Sequence, residues 1–225
     1  MRTGKLPVLL GGCGLAFGAA FANMGVFLEA GTSVSHLTGD LVKLSVDILR
    51  ASPGALWELG RVGLAMTAFF LGALTSGFWF HHPDLEFTRP YRRAIFMIGL
   101  LFLASAFCLG KAPWIGIVLA AYGCGLQNAL ASRYRGIVLR TTHLTGLITD
   151  FGISLGMRLR GLDVAAWKLL VPGLLILAFF LGGLCGAAAF LQAHANPILL
   201  TGIGYCGVGV LWMILRASSR FQSKV

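Results

Sequence analysis

Apolar residues arrive in six long runs, at 7–28, 55–80, 94–110, 113–131, 167–192 and 197–215. A helix needs roughly 20 such residues to cross a ~30 Å hydrocarbon core, so each run predicts a membrane span. The pattern changes twice, at residues 31–50 and 141–160. There polar and ionisable side chains recur at helical spacing among apolar ones, which predicts a short helix with one polar face. The pattern as a whole predicts an all-α polytopic membrane protein.

The two mixed segments carry nearly the same string. Ser35-His36-Leu37-Thr38-Gly39 returns as Thr142-His143-Leu144-Thr145-Gly146, 107 positions later. Two further blocks echo in the same order. Leu15 to Asn23 aligns with Ala120 to Asn128, and Ala68-Phe69-Phe70-Leu71-Gly72 with Ala178-Phe179-Phe180-Leu181-Gly182, at offsets of 105 and 110. Residues 1–110 and 111–225 therefore read as two repeats of one integrated membrane domain. Each holds a span, a short re-entrant or interfacial helix bearing the motif, and two further spans. The first run ends in Ala20-Phe21-Ala22, which resembles a signal-peptidase site. Its counterpart in the interior argues for a retained first span.

Composition agrees: 57% of residues are hydrophobic and 12% charged, and mean hydropathy is +0.82. These values exclude an ordinary water-soluble domain. The formal charge of +10 is spread through the connections and forms no basic module, so nucleic acid is not an expected partner. The bases serve better as topology markers. If the motif segments enter and leave on one side, Arg2, Lys5, Arg89, Arg92, Arg93, Arg133, Arg135, Arg140, Arg158, Arg160, Lys168, Arg216, Arg220 and Lys224 all fall on the cytoplasmic side, with both termini. Only Lys43, Arg50 and Lys111 fall opposite, with Arg61 in the second span set aside. Letting the motif helices span would instead send six of those arginines outward. Three spans per half is an odd number, so the repeats are expected to be inverted, as in many secondary transporters.

In each copy Thr38 or Thr145 is placed to cap a helix, with Gly39 or Gly146 opening its first turn. Helix starts inside a membrane leave N–H groups and positive partial charge in need of a partner, which suits a polar or anionic solute. The competing reading is that these segments only pack. Asp40, Lys43 and Asp47 follow the first motif on one helix face and can pair internally, while the aligned positions in the second half are Leu147, Asp150 and Ser154. Asp40 and Asp150 are candidates for proton coupling. Asn23, and Gln127 with Asn128, sit at matching places in the first span of each half, either bonding between helices or lining a polar path. The candidate binding set is therefore Asn23, His36, Thr38, Gly39, Asp40, Gln127, Asn128, His143, Thr145, Gly146 and Asp150. Glu58 and Arg61 read as an interfacial ion pair.

No metal or cofactor is expected. The five cysteines, Cys13, Cys108, Cys124, Cys185 and Cys206, lie apart in apolar runs, and His36 and His143 lack a further ligand cluster. Gly202-Ile203-Gly204-Tyr205-Cys206-Gly207 fits a dinucleotide fingerprint only by letter, since it sits in the last apolar run. The Gly14…Gly18 and Gly182…Gly186 spacings predict close helix packing. No hydrolase triad is recognisable, so an enzyme is not expected.

With these residues in view, the chain resembles the YoaK-like family of bacterial membrane proteins, a domain of unknown function. The resemblance rests on Ala20 to Leu28, on Val34-Ser35-His36-Leu37-Thr38-Gly39-Asp40, and on Gly125-Leu126-Gln127-Asn128-Ala129 leading to Arg140 through Gly146. It covers essentially the whole chain. It implies an inner-membrane location and about six spans, and it implies no substrate. Family members commonly carry an acidic residue in place of Asn23, and Asn in place of Asp40. If both positions line one site, the carboxylate has changed walls.

The functional expectation is a transporter or channel-like carrier of a small polar or anionic solute, acting at the interface of the two motif segments. The alternative is a non-transporting membrane scaffold or assembly protein. Expected partners are the lipid bilayer and the solute. The glycine-rich faces also permit a homodimer.

Overall fold

The computed structural model describes residues 5–80, 91–130, 133–134, 137–138 and 142–222. Eight helices follow in order: α1 (Lys5–Ala30), α2 (Leu37–Leu49), α3 (Ala55–Trp79), α4 (Tyr91–Leu109), α5 (Pro113–Leu130), α6 (Leu144–Leu159), α7 (Trp167–Leu191) and α8 (Pro197–Gln222). A minimal antiparallel pair, β1 (Arg133–Tyr134) and β2 (Ile137–Val138), lies between α5 and α6, with Arg133 opposite Val138. Among the described residues, five helices are long and apolar enough to cross a membrane: α1, α3, α4, α7 and α8. The sixth run expected to span forms α5, 18 residues long and not among those five. It carries the amides of Gln127 and Asn128 near its end.

Local chemistry sets the helix ends. α8 starts at Pro197, whose fixed φ suits a first turn, and Asn196 Oδ1 accepts from the backbone N–H of Ile198 (3.0 Å) and Leu199 (3.1 Å). α1 stops at Gly31, which takes a left-handed φ of +67° and donates back to the Phe27 carbonyl at 2.9 Å. α2 and α6 finish in the same way. Ser52 N–H reaches the Asp47 carbonyl and Ala51 N–H that of Ile48; Leu162 reaches Met157 and Gly161 reaches Arg158. This two-bond stop needs a left-handed residue, supplied by Gly161 (φ +82°) in one helix and by Ala51 (φ +49°) in the other.

Glycines let the long helices approach backbone to backbone. A side chain at Gly72 would collide with the Tyr122 carbonyl, one at Gly125 with the Phe69 carbonyl, and one at Gly182 with the Phe17 carbonyl. Two side-chain bonds reinforce the crossings: Thr75 Oγ1 lies 2.6 Å from the Tyr122 hydroxyl, and Ser105 Oγ donates to the Gly116 carbonyl at 2.7 Å. The main buried core lies where α1, α3, α4, α5 and α8 meet, around Val26, Ala65, Ile98, Phe102, Ala120, Leu126 and Ile198. A second cluster joins Ala16, Leu147, Val171 and Leu175.

The contacts also give relative direction. α1 and α7 run parallel, Phe17 meeting Gly182 and Phe21 meeting Gly186. α3 and α5 run parallel, Gly60 lying under Trp114 and Gly72 against Tyr122. α4 opposes α8, with Phe96 at Gly209 and Leu103 at Gly202, and opposes α5, with Leu109 at Gly116 and Phe102 at Gly123. α1 opposes α8, with Gly18 at Tyr205 and Gly25 at Ile198. The main pairings, α1 with α7, α3 with α5, α4 with α8, α4 with α5, α1 with α8, α2 with α3 and α6 with α7, are unchanged when α1–α4 are exchanged in order for α5–α8.

Candidate functional site

The chain leaves α1 at Ala30 and folds back along it before α2 begins. Three anchors hold this return. Asn23 is the central one: its Oδ1 accepts from Val34 N–H (2.9 Å), Ser33 Oγ (3.0 Å) and Ser35 N–H (3.3 Å). Asp40 is the second, its Oδ2 accepting from Thr32 Oγ1 at 3.1 Å and Ser33 N–H at 3.3 Å. Arg61 is the third. Its Nη1 donates to the Ala30 carbonyl at 2.6 Å, and its Nη2 pairs with Glu58, as the sequence spacing led us to expect. Ser33 Oγ also accepts from His36 N–H at 3.0 Å. The return therefore carries its polar backbone on side chains, which a segment away from water requires.

Part of this arrangement occurs twice. Asn128, the counterpart of Asn23, accepts from Thr142 N–H at 3.3 Å, as Asn23 does from the aligned Ser35. Both asparagines thus tie the approach to a motif. Gln127 does something else: it is 1% exposed and donates from Nε2 to the Leu15 carbonyl at 2.8 Å, bonding α5 to α1 within the core. Its Oε1 is buried without a partner among the described residues.

The expected threonine caps do not form. The N-caps of α2 and α6 are His36 and His143, and neither makes a side-chain capping bond. Each helix begins two residues earlier than the Thr-Gly pair suggested, so Thr38 and Thr145 lie inside the first turn. There Gly39 N–H bonds the His36 carbonyl (3.2 Å) and Leu147 N–H the His143 carbonyl (3.2 Å). Both threonine side chains are exposed, as are Gly39 and Asp150.

The two histidines have different surroundings. His36 is half-buried, with Nδ1 2.9 Å from Ser35 Oγ and its ring edge-on to Phe179 at 5.2 Å. Burial pushes its imidazole below the ordinary range, while the Asp40 carboxylate pulls the other way. His143 is exposed, and its ring covers Gly146 so closely that any side chain there would overlap it. Gly39 has open space instead. Both motif segments nevertheless reach α7, at different levels: His36 touches Phe179, and Leu147 shares a buried cluster with Val171 and Leu175.

Asp40, Lys43 and Asp47 do not pair with one another; Arg61 with Glu58 is the one ion pair among the described residues. All five line one small cleft with Gly31, Leu44 and Val62. At the position of Asp40 the second half carries Leu147, buried in the apolar cluster. Among the described residues no group of three or more metal-ligating side chains occurs. Arg2, Arg89, Arg135, Arg140, Lys224, His81 and His82 lie outside the described residues.

Sequence reasoning missed Thr32, Ser33, Ser35 and Phe179. A run of hydroxyl residues between a helix-ending glycine and a histidine was the available signal for the first three. Nothing local could have paired Phe179 with His36.

No curated protein and no solved structure matches the chain. One family does: the model described as "Protein of unknown function (DUF1275)" matches residues 11–212, nearly the full length and in keeping with the resemblance drawn from the motifs, and the chain belongs to that family.

Proposed function

We propose that the protein is a membrane transporter or channel-like carrier for a small polar or anionic solute, built as six spans in two inverted repeats and acting where the two motif segments approach α7. The observation that carries this reading is that an asparagine of the preceding long helix holds the start of each motif, Asn23 through Ser35 and Asn128 through Thr142, while His36 and Leu147 both lie against residues of α7. Following the helix contacts in sequence gives α1, α4 and α7 one direction and α3, α5 and α8 the other. Corresponding helices of the two halves then point oppositely, which supports inversion independently of the count of Lys and Arg. Exposed Thr38, His143 and Thr145 would be costly wherever they met lipid, and a wet path beside them removes that cost. The span α5, shorter and carrying Gln127 and Asn128, packs against α1, α3 and α4.

The test is flux. Purified protein in liposomes is screened against ions, small anions and neutral polar solutes, and wild type is compared with Thr38→Val and Thr145→Val. We expect the double change to lower flux at least about tenfold, the effect of ~1.4 kcal/mol at a binding or barrier step. Flux indifferent to both changes removes the site from the pathway. A scaffold without transport is the second reading. It draws on the missing threonine caps and on a cleft that lies beside α2 and α3 rather than between the two motifs.

A further inference from the structure

The packed seam between α6 and α7 ends in two cations. On α6, Leu147 shares a buried cluster with Val171 and Leu175, the Phe151 ring lies against Gly173, and Ser154 is buried. These positions follow one another at steps of four and three, which is one stripe of a helix, and Arg158 is the next position on it. On α7, Lys168 stands one turn before Val171 and two before Leu175, on the stripe that meets α6.

The connection brings the two ends together. Leu162 N–H folds back to the Met157 carbonyl, and the Ala165 carbonyl already accepts from Lys168 N–H. Asp163 and Val164 alone bridge these turns, a reach of about 10 Å at most. With Phe151 at Gly173, α6 therefore runs antiparallel along α7 and finishes beside its start.

Arg158 and Lys168 are both exposed, and neither pairs with a carboxylate among the described residues. Asp163 is the one acidic side chain beyond Asp150 in the sequence. At the repeat offsets of 107 and 110, the corresponding first-half residues are Ala51 and Glu58, and Glu58 is paired with Arg61. Two like charges closing one seam repel unless an anion joins them. The candidate span of α7 begins at Trp167, with the Lys168 ammonium 5.9 Å from the indole, as at a membrane boundary. Beside Arg158, Leu155 and Leu159 are exposed one turn apart on α6. Bases next to exposed leucines at that level suit an anion that carries an apolar tail.

We infer that the end of the α6–α7 seam binds an anionic phospholipid, Arg158 and Lys168 holding the headgroup phosphate and Leu155 and Leu159 lying along an acyl chain. Arginine offers the phosphate two parallel N–H donors, and lysine adds a point charge. Arg160 lies on the opposite side of α6 and takes no part. The inference does not depend on the transport reading.

The experiment follows lipid retention by native mass spectrometry of the full-length protein in detergent, titrated with phosphatidylglycerol or with phosphatidylcholine of the same chains. Wild type should hold phosphatidylglycerol at least about tenfold more tightly, and the double change Arg158→Ala with Lys168→Ala should remove most of that preference, since each base at a membrane surface contributes several-fold. Arg160→Ala should alter binding less than about twofold, because a diffuse surface field and not a built site would make the three bases equivalent. Equal loss in Arg160→Ala and Arg158→Ala therefore overturns the site. Equal retention of the two lipids by wild type overturns it without any variant, which keeps the test decisive if the double change does not fold. Displacement of the lipid by an equal concentration of inorganic phosphate would make this a free-anion site and overturn the lipid assignment.

Discussion

At the scale of single residues, Asn23 carries the most structural weight in the motif region. Its one oxygen serves three donors, and truncation leaves Ser33, Val34 and Ser35 without their acceptor. Asn23→Ala should cost about 2–3 kcal/mol, and Asn128→Ala, with one such bond, about 1 kcal/mol. Denaturant-induced unfolding in mixed micelles measures both, and equal losses would contradict the difference in bonding. A carboxylate in place of Asn23 would keep the acceptor and add charge beside a return that already holds Asp40.

At the scale of elements, the helix stops of α2 and α6 make the same two backbone bonds on different residues. Ala51 bears a left-handed conformation that costs a non-glycine residue roughly 1–2 kcal/mol, and Gly161 is nearly free of that cost. Ala51→Gly is therefore expected to stabilise the protein by about 0.5–1 kcal/mol, allowing for the extra freedom of glycine when unfolded. Unfolding midpoints compared with wild type check this. A loss of stability would mean that the Ala51 methyl makes a contact worth more than the strain. The glycines at the crossings act oppositely: there the absent side chain admits a neighbouring backbone.

At the scale of the whole molecule, four of the five tryptophans fall at the helix ends. Trp57 and Trp114 form an edge-to-face pair at 4.3 Å where α3 and α5 begin, Trp79 and Phe80 close the other end of α3, and Trp167 starts α7 beside Lys168. Indoles favour the two membrane interfaces, so these positions outline a slab consistent with the helix directions. In a background without native cysteines, Ser52→Cys and Gly161→Cys should label from opposite faces, with membrane-impermeant thiol reagents as the measurement. Same-side labelling would rule out inverted repeats.

The apolar runs determined where the long helices lie, because a helix in lipid must satisfy its own backbone and announces itself by length and hydropathy alone. The pairing of Glu58 with Arg61 was equally local and equally readable. The repeated motif revealed where the polar chemistry lies, but not how it is arranged. Thr38 and Thr145 looked like caps because capping depends on a residue's type, yet helix starts depend on what holds the preceding chain, and here that is Asn23 and Asn128 from other helices. The difference between His36 and His143 likewise came from packing, through Phe179 in one case and Gly146 in the other. Sequence alone decided the helical class and where the long apolar helices lie. Which helix lies beside which, in what direction, and which of two like residues is buried were decided by contacts between residues far apart in the chain, and these leave no periodic trace in it.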